Sequence, residues 1–374
     1  MKIVFTVSSL GAGGAERVAT TLCNAWVERG YLVTLVPTFS ERGDCFYELS
    51  PNINLVYLAD LVSSRKRSLG NQLARLKALR KFISAERPDV IVSFMVNVNV
   101  ATILASAGLG IPVIVCERQD PFVAPTLPSQ RFARYFTYPF ADALMVQTQA
   151  VAAKYAVSAQ KLRRVRVIPN PLYEGVLEIR NRGSVGDRKC LIAVGRLDRN
   201  KQFDVLISVF ARLVRHHVNW SLRIVGDGPL RSALQQQIVE LGVDASIELS
   251  GQSANVEEDM ADSDAFVLTS ASEGFPNALL EAMAIGLPCV TFDCPSGPRE
   301  MSMDGQVALL VPLNDEQALG VALERLMLDA DLRQSLGLQA RASVVERYAL
   351  DKVLVQWDAL FEDVAACRYL ENPR

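Results

Sequence analysis

The sequence predicts an α/β protein built from two doubly wound, Rossmann-like domains. Short apolar runs rich in β-branched residues alternate with helical patterns along the chain, and this alternation starts again after residue 186. Apolar strands joined by helical crossovers are typical of a parallel sheet that is covered on both faces. The length of 374 residues is also sufficient for two such domains.

Each half of the chain contains several runs that we predict to be buried strands. Those of the first half are Ile3–Val7, Tyr31–Val36, Val90–Phe94, Val113–Cys116, Ala143–Gln147 and Val165–Ile168. Those of the second half are Cys190–Val194, Ser221–Val225, Ser246–Leu249, Ala265–Leu268 and Cys289–Thr291. Helical patterns separate most of these runs, so we expect each half to form its own sheet.

The composition of the chain suggests where these domains end. Prolines, glycines and charges cluster at residues 171–186, which we predict to be a linker between an N-terminal domain at 1–170 and a C-terminal domain at 187–345. Apolar residues recur at helical spacing after about residue 345. We therefore expect residues 346–374 to form a helix that packs back towards the N-terminal domain.

The charge of the chain is balanced overall but not along its length. The 39 Lys and Arg residues against 41 Asp and Glu argue against a nucleic-acid-binding protein. Residues 1–180 nevertheless carry a net charge of +8, and residues 181–374 carry −10. The basic half would suit an anionic membrane surface or a phosphorylated ligand.

Neither a metal site nor a membrane span is expected. The seven cysteines are scattered without a C-x-x-C pair, and the two histidines are adjacent, which does not fit a zinc site. The apolar run at the N-terminus is too short for a secretion signal. Residues 90–116 are uncharged, but they contain asparagines, glycines and a proline, so we predict strand, helix, turn and strand there rather than a membrane span.

A glycine-rich turn follows the first predicted strand and opens a helix. It contains Gly13 and Gly14, which would let a ligand approach the backbone and the N–H groups of the helix N-terminus. The third glycine of a dinucleotide-binding fingerprint is missing, and so is the acidic residue after the second strand. An oxyanion or a sugar is the expected ligand, and a plain tight turn is the alternative.

Two further loops follow predicted strands of the second half. The loop after Val194 carries the cations Arg196 and Lys201 at a strand end, where α/β sheets bind ligands and where both could hold phosphate. A solvated loop explains these cations equally well. The loop after Val225 has the sequence V-G-D-G-P, and its glycines would let a nucleotide lie close to the backbone or would simply form a turn.

The most specific pattern is the segment from Ser270 to Pro288. Two carboxylates, Glu273 and Glu281, stand on either side of a predicted helix start near Asn277. The first could accept hydrogen bonds from sugar hydroxyls, and the second could reach a ribose from two turns inside the helix. Backbone N–H groups at the helix N-terminus could receive a diphosphate.

A charged pair, Glu117 and Arg118, follows a strand of the first half. Asn97, after the preceding strand, is expected to line the same region, together with Asn99. The alternative for the charged pair is a local ion pair, and the alternative for either asparagine is a helix N-cap.

The glycine turn, G-R-L-x-x-x-K, V-G-D-G-P and E-x7-E motifs, in this order, resemble the retaining glycosyltransferases of family 4, which have the GT-B fold. The resemblance covers nearly the whole chain and implies two domains that face a central cleft, an acceptor-binding N-terminal domain and a nucleotide-sugar-binding C-terminal domain. It also implies an enzyme that uses no bound metal and no cofactor. The E-R-x-D-P form of the charged pair, where many members carry a histidine, is similar to transferases that build capsule, exopolysaccharide and N-glycan units on polyprenyl diphosphate.

The resemblance also implies roles for the motif residues. Arg196 and Lys201 would bind the donor diphosphate, and Glu281 would hold the ribose. Glu273 would hold the transferred hexose. The remaining donor contacts would be the backbone of Gly274, Phe275, Pro276 and Asn277 for the hexose, and Gly228 and Leu249 for the base.

Residues 65–81 form a basic segment with leucines at helical spacing. Such a helix could lie on an anionic membrane, or its leucines could simply cover the core.

The expected protein is a cytoplasmic transferase on the inner face of the cytoplasmic membrane. We expect it to move a hexose or N-acetylhexosamine from a nucleotide sugar, UDP favoured, to a lipid-linked saccharide; the alternatives are a GDP-mannose-dependent mannosyltransferase and a non-catalytic binding subunit.

Overall fold

The computed structural model of the chain describes residues 1–38, 43, 45–62, 69–123, 126–184 and 186–371. The chain forms two compact units. The first unit comprises Met1–Pro171 together with Val353–Arg374, and the second comprises Leu172–Lys352. Each unit is built around one parallel sheet.

The first unit has seven parallel strands in the order β3-β2-β1-β4-β5-β6-β7. The strands are β1 Lys2–Val7, β2 Leu32–Pro37, β3 Asn54–Leu55, β4 Val90–Phe94, β5 Val113–Cys116, β6 Ala143–Val146 and β7 Val165–Val167. The helices are α1 Gly14–Glu28, α2 Leu69–Glu86, α3 Val96–Ser106, α4 Pro128–Thr137 and α5 Gln149–Ala156, with short 3-10 turns at Leu58–Leu61 and Tyr138–Phe140.

The second unit has six parallel strands in the order β10-β9-β8-β11-β12-β13. The strands are β8 Lys189–Val194, β9 Trp220–Val225, β10 Ile247–Gly251, β11 Ala265–Leu268, β12 Cys289–Phe292 and β13 Leu309–Val311. The helices are α6 Glu174–Glu178, α7 Phe203–Leu213, α8 Arg231–Glu240, α9 Val256–Ala261, α10 Asn277–Ile285, α11 Pro298–Met301, α12 Glu316–Leu328 and α13 Ala330–Tyr348; α14 Leu350–Glu371 returns to the first unit.

The two doubly wound α/β units confirm the predicted fold class. Every predicted strand is present with ends that differ by a residue or two, and the predicted strand, helix, turn and strand at 90–116 are β4, α3 and β5. The sequence pattern missed β3 and β13, which are very short strands at sheet edges. None of the helices in the described part of the chain combines the length and the apolar character that a membrane span needs.

The segment predicted as a linker at 171–186 differs from that expectation in its described part. Leu172 and Val176 are buried in the core of the second unit. The side-chain amide of Asn181 donates to the carbonyl of Ser263 at 2.6 Å. These residues belong to the second unit because apolar side chains and hydrogen bonds fix them there.

The terminal helix also begins later than residue 346. Tyr348 ends α13 in the second unit, and the extended backbone of Ala349 separates it from α14. Within the first unit, the Trp357 ring of α14 lies 5.5 Å from the Trp26 ring, and Asp358 accepts a hydrogen bond from Tyr31 at 3.1 Å.

The predicted basic segment is only partly covered by the structure. Residues 65–68 lie outside the described residues, and α2 begins at Leu69. Leu79 and Ile83 of this helix are buried in the core, as the core-covering alternative predicts. Lys77 and Lys81 are exposed, whereas the guanidinium of Arg80 donates to the carbonyl of Ala105 at 3.0 Å.

Candidate active site

The motif loops of the second unit all lie at the carboxyl end of its parallel strands. The chain order of the sheet reverses between β8 and β11, which are neighbours. Ligands of open α/β sheets bind at such a reversal. The loops that follow these two strands carry Lys201 and Glu273.

Lys201 and Glu273 form an ion pair. The Lys201 Nζ atom lies 2.7 Å from the Glu273 Oε1 atom, and both side chains are largely buried. The hydroxyl of Ser296 donates to the Glu273 carbonyl at 2.7 Å. The absence of a side chain at Gly195 leaves room for the lysine, since a Cβ atom there would lie 2.9 Å from the Lys201 Cε atom. The structure thus joins two residues that the sequence placed at the same site with separate roles.

Arg196 is held much more loosely than Lys201. Its side chain is 74% exposed, and its Nε atom is 4.0 Å from the Asp198 Oδ2 atom. A long, exposed guanidinium at a strand end can reach an anionic ligand at little cost in lost contacts.

Asn200 is a residue that the motif reading missed. Its side-chain amide donates to the Ser272 carbonyl at 2.9 Å, and the Ser272 hydroxyl donates to its Oδ1 atom at 3.0 Å. The N–H of Ala271 donates to the Asn200 carbonyl at 2.7 Å. Asn200 therefore clamps the two loops together. Its position between Arg196 and Lys201 was the only sequence signal for this role.

Glu281 lies on α10, whose first residue is Asn277 as predicted. Glu281 is 8% exposed. It lies one turn after the start of the helix, whereas we expected two turns. The first N–H groups of any helix lack carbonyl partners within it, so the start of α10 offers donors for an anion.

Side chains at Phe275 and Pro276 have packing roles. Phe275 is buried, and its ring lies 5.5 Å from the Tyr348 ring. Pro276 packs against Gly297, where a Cβ atom would lie 2.5 Å from the Pro276 Cδ atom. Any ligand contact of the predicted run Gly274 to Asn277 is therefore left to backbone groups and to Asn277.

The glycines of the V-G-D-G-P turn serve loop packing. A Cβ atom at Gly226 would lie 1.9 Å from the Gly195 carbonyl oxygen, and one at Gly228 would lie 2.5 Å from the Leu197 carbonyl oxygen. The N–H of Leu197 donates to the Asp227 carbonyl at 3.0 Å. We expected these glycines to make room for a nucleotide. That expectation is wrong for the space that their missing side chains leave, because the backbone of the loop after β8 fills it.

Leu249 was predicted to lie near the base of the donor. Its side chain is buried on β10, and its carbonyl accepts a hydrogen bond from the Arg231 guanidinium at 2.9 Å. Arg231 is a further cation close to the predicted base position, and the motif reading did not select it.

In the first unit, Gly13 is the N-cap of α1 and Gly14 is its first residue. The Glu16 carboxylate occupies the space beside Gly13, where a Cβ atom would lie 2.2 Å from its Oε2 atom. The Ser9 hydroxyl donates to the other oxygen of Glu16 at 3.1 Å. An acidic side chain in the first turn already complements the helix dipole. This geometry favours a neutral polar ligand, such as a sugar, over an oxyanion at the turn.

Glu117 and Arg118 have different partners, so the local ion pair considered for them is wrong. Glu117 is buried, lies 3.0 Å from the Arg134 Nε atom and accepts a hydrogen bond from the Tyr138 hydroxyl at 2.9 Å. Burial raises its pKa above the ordinary value, and the nearby Asp120 adds to this, whereas Arg134 and Tyr138 oppose it.

Arg118 is held by a separate set of partners. Its guanidinium donates to the Asn170 side chain at 2.5 Å and lies 4.3 Å from the centre of the Phe94 ring. Burial lowers its pKa to about 10, although the neighbouring Cys116 and Glu16 favour the charged form. Glu16 and Arg118 thus bring the glycine turn and the charged pair into one electrostatic environment.

The two asparagines after β4 also differ from each other. Asn97 is exposed, and its Oδ1 atom accepts a hydrogen bond from Gln130 at 3.1 Å. Asn99 is buried and donates to the Cys116 carbonyl and to the Tyr138 hydroxyl. Neither is the N-cap of α3, which is Met95. Asn99 is linked to Glu117 through the Tyr138 hydroxyl, which accepts from Asn99 and donates to Glu117, whereas Asn97 lies at the surface.

Residues 13–171 match the family described as glycosyl transferase 4-like domain, and residues 177–343 match the family described as glycosyl transferases group 1. The chain is 28% identical, over 97% of its length and 99% of the relative, to the GalNAc-alpha-(1->4)-GalNAc-alpha-(1->3)-diNAcBac-PP-undecaprenol alpha-1,4-N-acetyl-D-galactosaminyltransferase of Campylobacter jejuni. It is 27% identical to the amylovoran biosynthesis glycosyltransferase AmsD of Erwinia amylovora, over 93% of this chain and 95% of the relative.

Solved structures share the fold at lower sequence identity. HepE of Anabaena, in complex with UDP and glucose, has a TM-score of 0.77 and 21% identity over 98% of this chain and 100% of that chain. Sucrose-phosphate synthase of Thermosynechococcus elongatus has a TM-score of 0.81 and 17% identity over 98% of this chain and 99% of that chain.

Proposed function

Because this chain belongs to the family 4 glycosyltransferases with the GT-B fold, we propose that it moves a hexose or N-acetylhexosamine from a nucleotide-diphosphate sugar to a lipid-linked glycan. The favoured donor is a UDP-sugar. The observation that carries the proposal is the ion pair between Lys201 and Glu273 beside the exposed Arg196, at the sheet reversal of the second unit.

In the proposed donor site, Lys201 and Arg196 bind the diphosphate and Glu273 binds hydroxyl groups of the hexose. Glu281 binds the ribose, and the start of α10 adds backbone N–H groups. Positive charge matters most as the bond between the anomeric carbon and the phosphate oxygen breaks, since negative charge then develops on the diphosphate. Lys201 and Arg196 supply the positive charge that a metal ion gives elsewhere.

The proposed transfer retains the configuration of the anomeric carbon. The diphosphate leaves and the acceptor oxygen attacks from the same face, so one carbon–oxygen bond breaks and another forms there. The proton of the acceptor hydroxyl passes to the departing diphosphate. No side chain is required as a base, which agrees with the absence of a histidine beside Glu117.

The proposed acceptor groups are in the first unit, at the turn of Gly13 and Gly14 and around Arg118. The carboxylate of Glu16 and the guanidinium of Arg118 offer hydrogen-bond partners of both kinds for a saccharide. A lipid-linked acceptor is supported by the name of the Campylobacter relative, which specifies a diNAcBac-PP-undecaprenol glycan as its acceptor.

We further propose that the enzyme works on the inner face of the cytoplasmic membrane and contacts it through residues 65–81. The exposed Lys77 and Lys81 support this, since each base near an anionic surface contributes about 1 kcal/mol.

The test is transfer onto a purified polyprenyl-diphosphate saccharide, with mass spectrometry and NMR of the product. We expect the acceptor to gain one sugar whose anomeric configuration matches that of the donor. A product of opposite configuration would overturn the retaining mechanism. Donor binding with no product from any lipid-linked acceptor would favour a binding subunit.

A further inference from the structure

Helix α4 is amphipathic in the reverse of the usual sense. A surface helix normally turns its apolar face to the core and its polar face to water. In α4 the buried face carries Arg134, which is 7% exposed and pairs with Glu117. The same side of the helix carries Gln130, whose side-chain amide donates to Asn97.

The opposite face of α4 is aromatic and exposed. Phe132 is 66% exposed, and half or more of Tyr135 and Phe136 is exposed as well. Phe140, just after the helix, is 71% exposed. The ring centres of Phe132 and Phe136 are 4.4 Å apart and those of Tyr135 and Phe136 are 5.3 Å apart, so these three side chains form one patch. We call Phe132, Tyr135 and Phe136 the α4 patch.

We propose that the α4 patch inserts into the interfacial region of a lipid bilayer. A contiguous aromatic surface in water is costly and marks an interaction site. Aromatic rings are suited to the boundary between lipid headgroups and acyl chains, where Tyr also keeps its hydroxyl group hydrated.

Charge selects a bilayer over a protein partner as the occupant. Residues 121–141 contain no Asp or Glu, and Arg131 is their one exposed base, since Arg134 is buried and pairs with Glu117. Arg131 is exposed beside the aromatic rings, so the patch combines apolar insertion with attraction to anionic headgroups. The same patch of a second copy would offer Arg131 no acidic partner, whereas an anionic bilayer would.

The patch is also connected to the proposed acceptor site of the first unit. The single helix α4 presents the aromatic rings on one face and holds Glu117 through Arg134 on the other. Insertion of the outer face would therefore fix the depth of the site relative to the bilayer. A link between bilayer insertion and catalysis rests on the lipid-linked acceptor proposed above. The test of insertion itself needs neither donor nor acceptor.

The test is flotation of the full chain with vesicles of phosphatidylcholine, with and without phosphatidylglycerol. The patch variant combines Phe132→Ser, Tyr135→Ser and Phe136→Ser, which are exposed positions that the fold tolerates. The matched control combines Val321→Ser, Leu328→Ser and Leu338→Ser, which are similarly exposed apolar residues of the second unit. We expect the patch variant to lose at least about tenfold in vesicle partitioning and the control to bind like the wild type.

A second variant, Phe136→Trp, reports insertion directly. The natural tryptophans Trp26, Trp220 and Trp357 are all buried, so a blue shift of emission on adding vesicles would come from the new residue. Unchanged partitioning of the patch variant, or no emission shift, would overturn the proposal. So would a wild-type dimer in analytical ultracentrifugation that the patch variant dissociates, because a second copy would then cover the patch.

Discussion

The ammonium group of Lys201 lies 2.7 Å from the Oε1 atom of Glu273 and so connects the loops that follow β8 and β11. These loops are 72 residues apart in sequence and adjacent in the sheet. Because both side chains are mostly shielded from water, the pair fixes the position of its two charges. We expect a donor diphosphate to share the charge of Lys201 with Glu273.

Removing Lys201 or Arg196 should abolish most of the turnover, and removing the exposed Arg196 should hardly change the stability of the fold. We expect Lys201→Ala and Arg196→Ala to lower kcat/KM about a hundredfold or more, because each removes charge stabilisation of the leaving diphosphate. Arg196→Ala should leave the free energy of unfolding within about 0.5 kcal/mol of wild type, since its side chain is exposed. The matched control is Arg199→Ala, an exposed base of the same loop. Full activity of the Lys201 and Arg196 variants would contradict the diphosphate site.

Substituting Glu281 should weaken the binding of the ribose and leave the contacts of the base and the phosphates unchanged. We expect Glu281→Gln to weaken UDP binding about tenfold, because a carboxylate accepts stronger hydrogen bonds from a diol than an amide does. Affinity for 2′,3′-dideoxy-UDP should hardly change. Titration calorimetry of both ligands on both proteins measures this difference. Equal losses for the two ligands would show that the substitution acts on the fold instead.

Gly226 should be intolerant of any side chain. Its φ of +142° and the 1.9 Å distance from a new Cβ atom to the Gly195 carbonyl oxygen predict that Gly226→Ala lowers the free energy of unfolding by about 2–4 kcal/mol. Gly320→Ala in α12 is the control, because its Cβ atom would meet only Val209 at 3.7 Å. It should be neutral or stabilising by up to about 1 kcal/mol. Urea unfolding compares the three proteins, and similar stability of both variants would contradict the packing role of Gly226.

Glu117 should make the stability of the first unit depend on pH. Burial raises its pKa above the ordinary value of 4.5, so the folded protein binds more protons than the unfolded chain in the interval between the two pKa values. The free energy of unfolding should therefore fall as pH rises through this interval. Glu117→Gln removes the titrating group while it keeps the size of the side chain.

Urea unfolding of wild type and Glu117→Gln at several pH values isolates this effect. The stability of wild type relative to the variant should decrease as pH rises above about 4.5 and then level off once Glu117 is ionised. A difference that stays constant, or that grows with pH, would show that the pKa of Glu117 is not raised.

Much of the fold could be predicted because buried parallel strands have a strong sequence signature. The runs at 90–94, 113–116 and 265–268 agree with the structure to the residue. The edge strand β13 was missed although Leu309–Val311 is apolar, because its only partner among the described strands is β12 and this pairing has no sequence signal. Residues 172–184 could not be assigned to the second unit because their contacts are with distant parts of the chain.

The proximity of Lys201 and Glu273 could be predicted because each follows a strand of the same parallel sheet; the ligand roles of these residues and of Glu281 stay predictions. Contacts between residues that are distant in sequence and follow no motif could not be predicted. Glu117 pairs with Arg134 because α4 packs against that strand end, and no local spacing indicates this. The glycines of the V-G-D-G-P turn are explained by the backbone of Gly195, which faces Gly226, and of Leu197, which faces Gly228; the sequence does not show these contacts.

The proposed transferase activity is tested most directly by nucleotide release from a panel of UDP-, GDP- and ADP-sugars, with and without a lipid extract that carries polyprenyl-linked saccharides. We expect release from one UDP-sugar, dependent on the lipid acceptor and lost in Lys201→Ala. Acceptor-dependent release from GDP-mannose alone would contradict the proposed donor. No release from any donor by folded protein that binds UDP would contradict the transferase assignment itself.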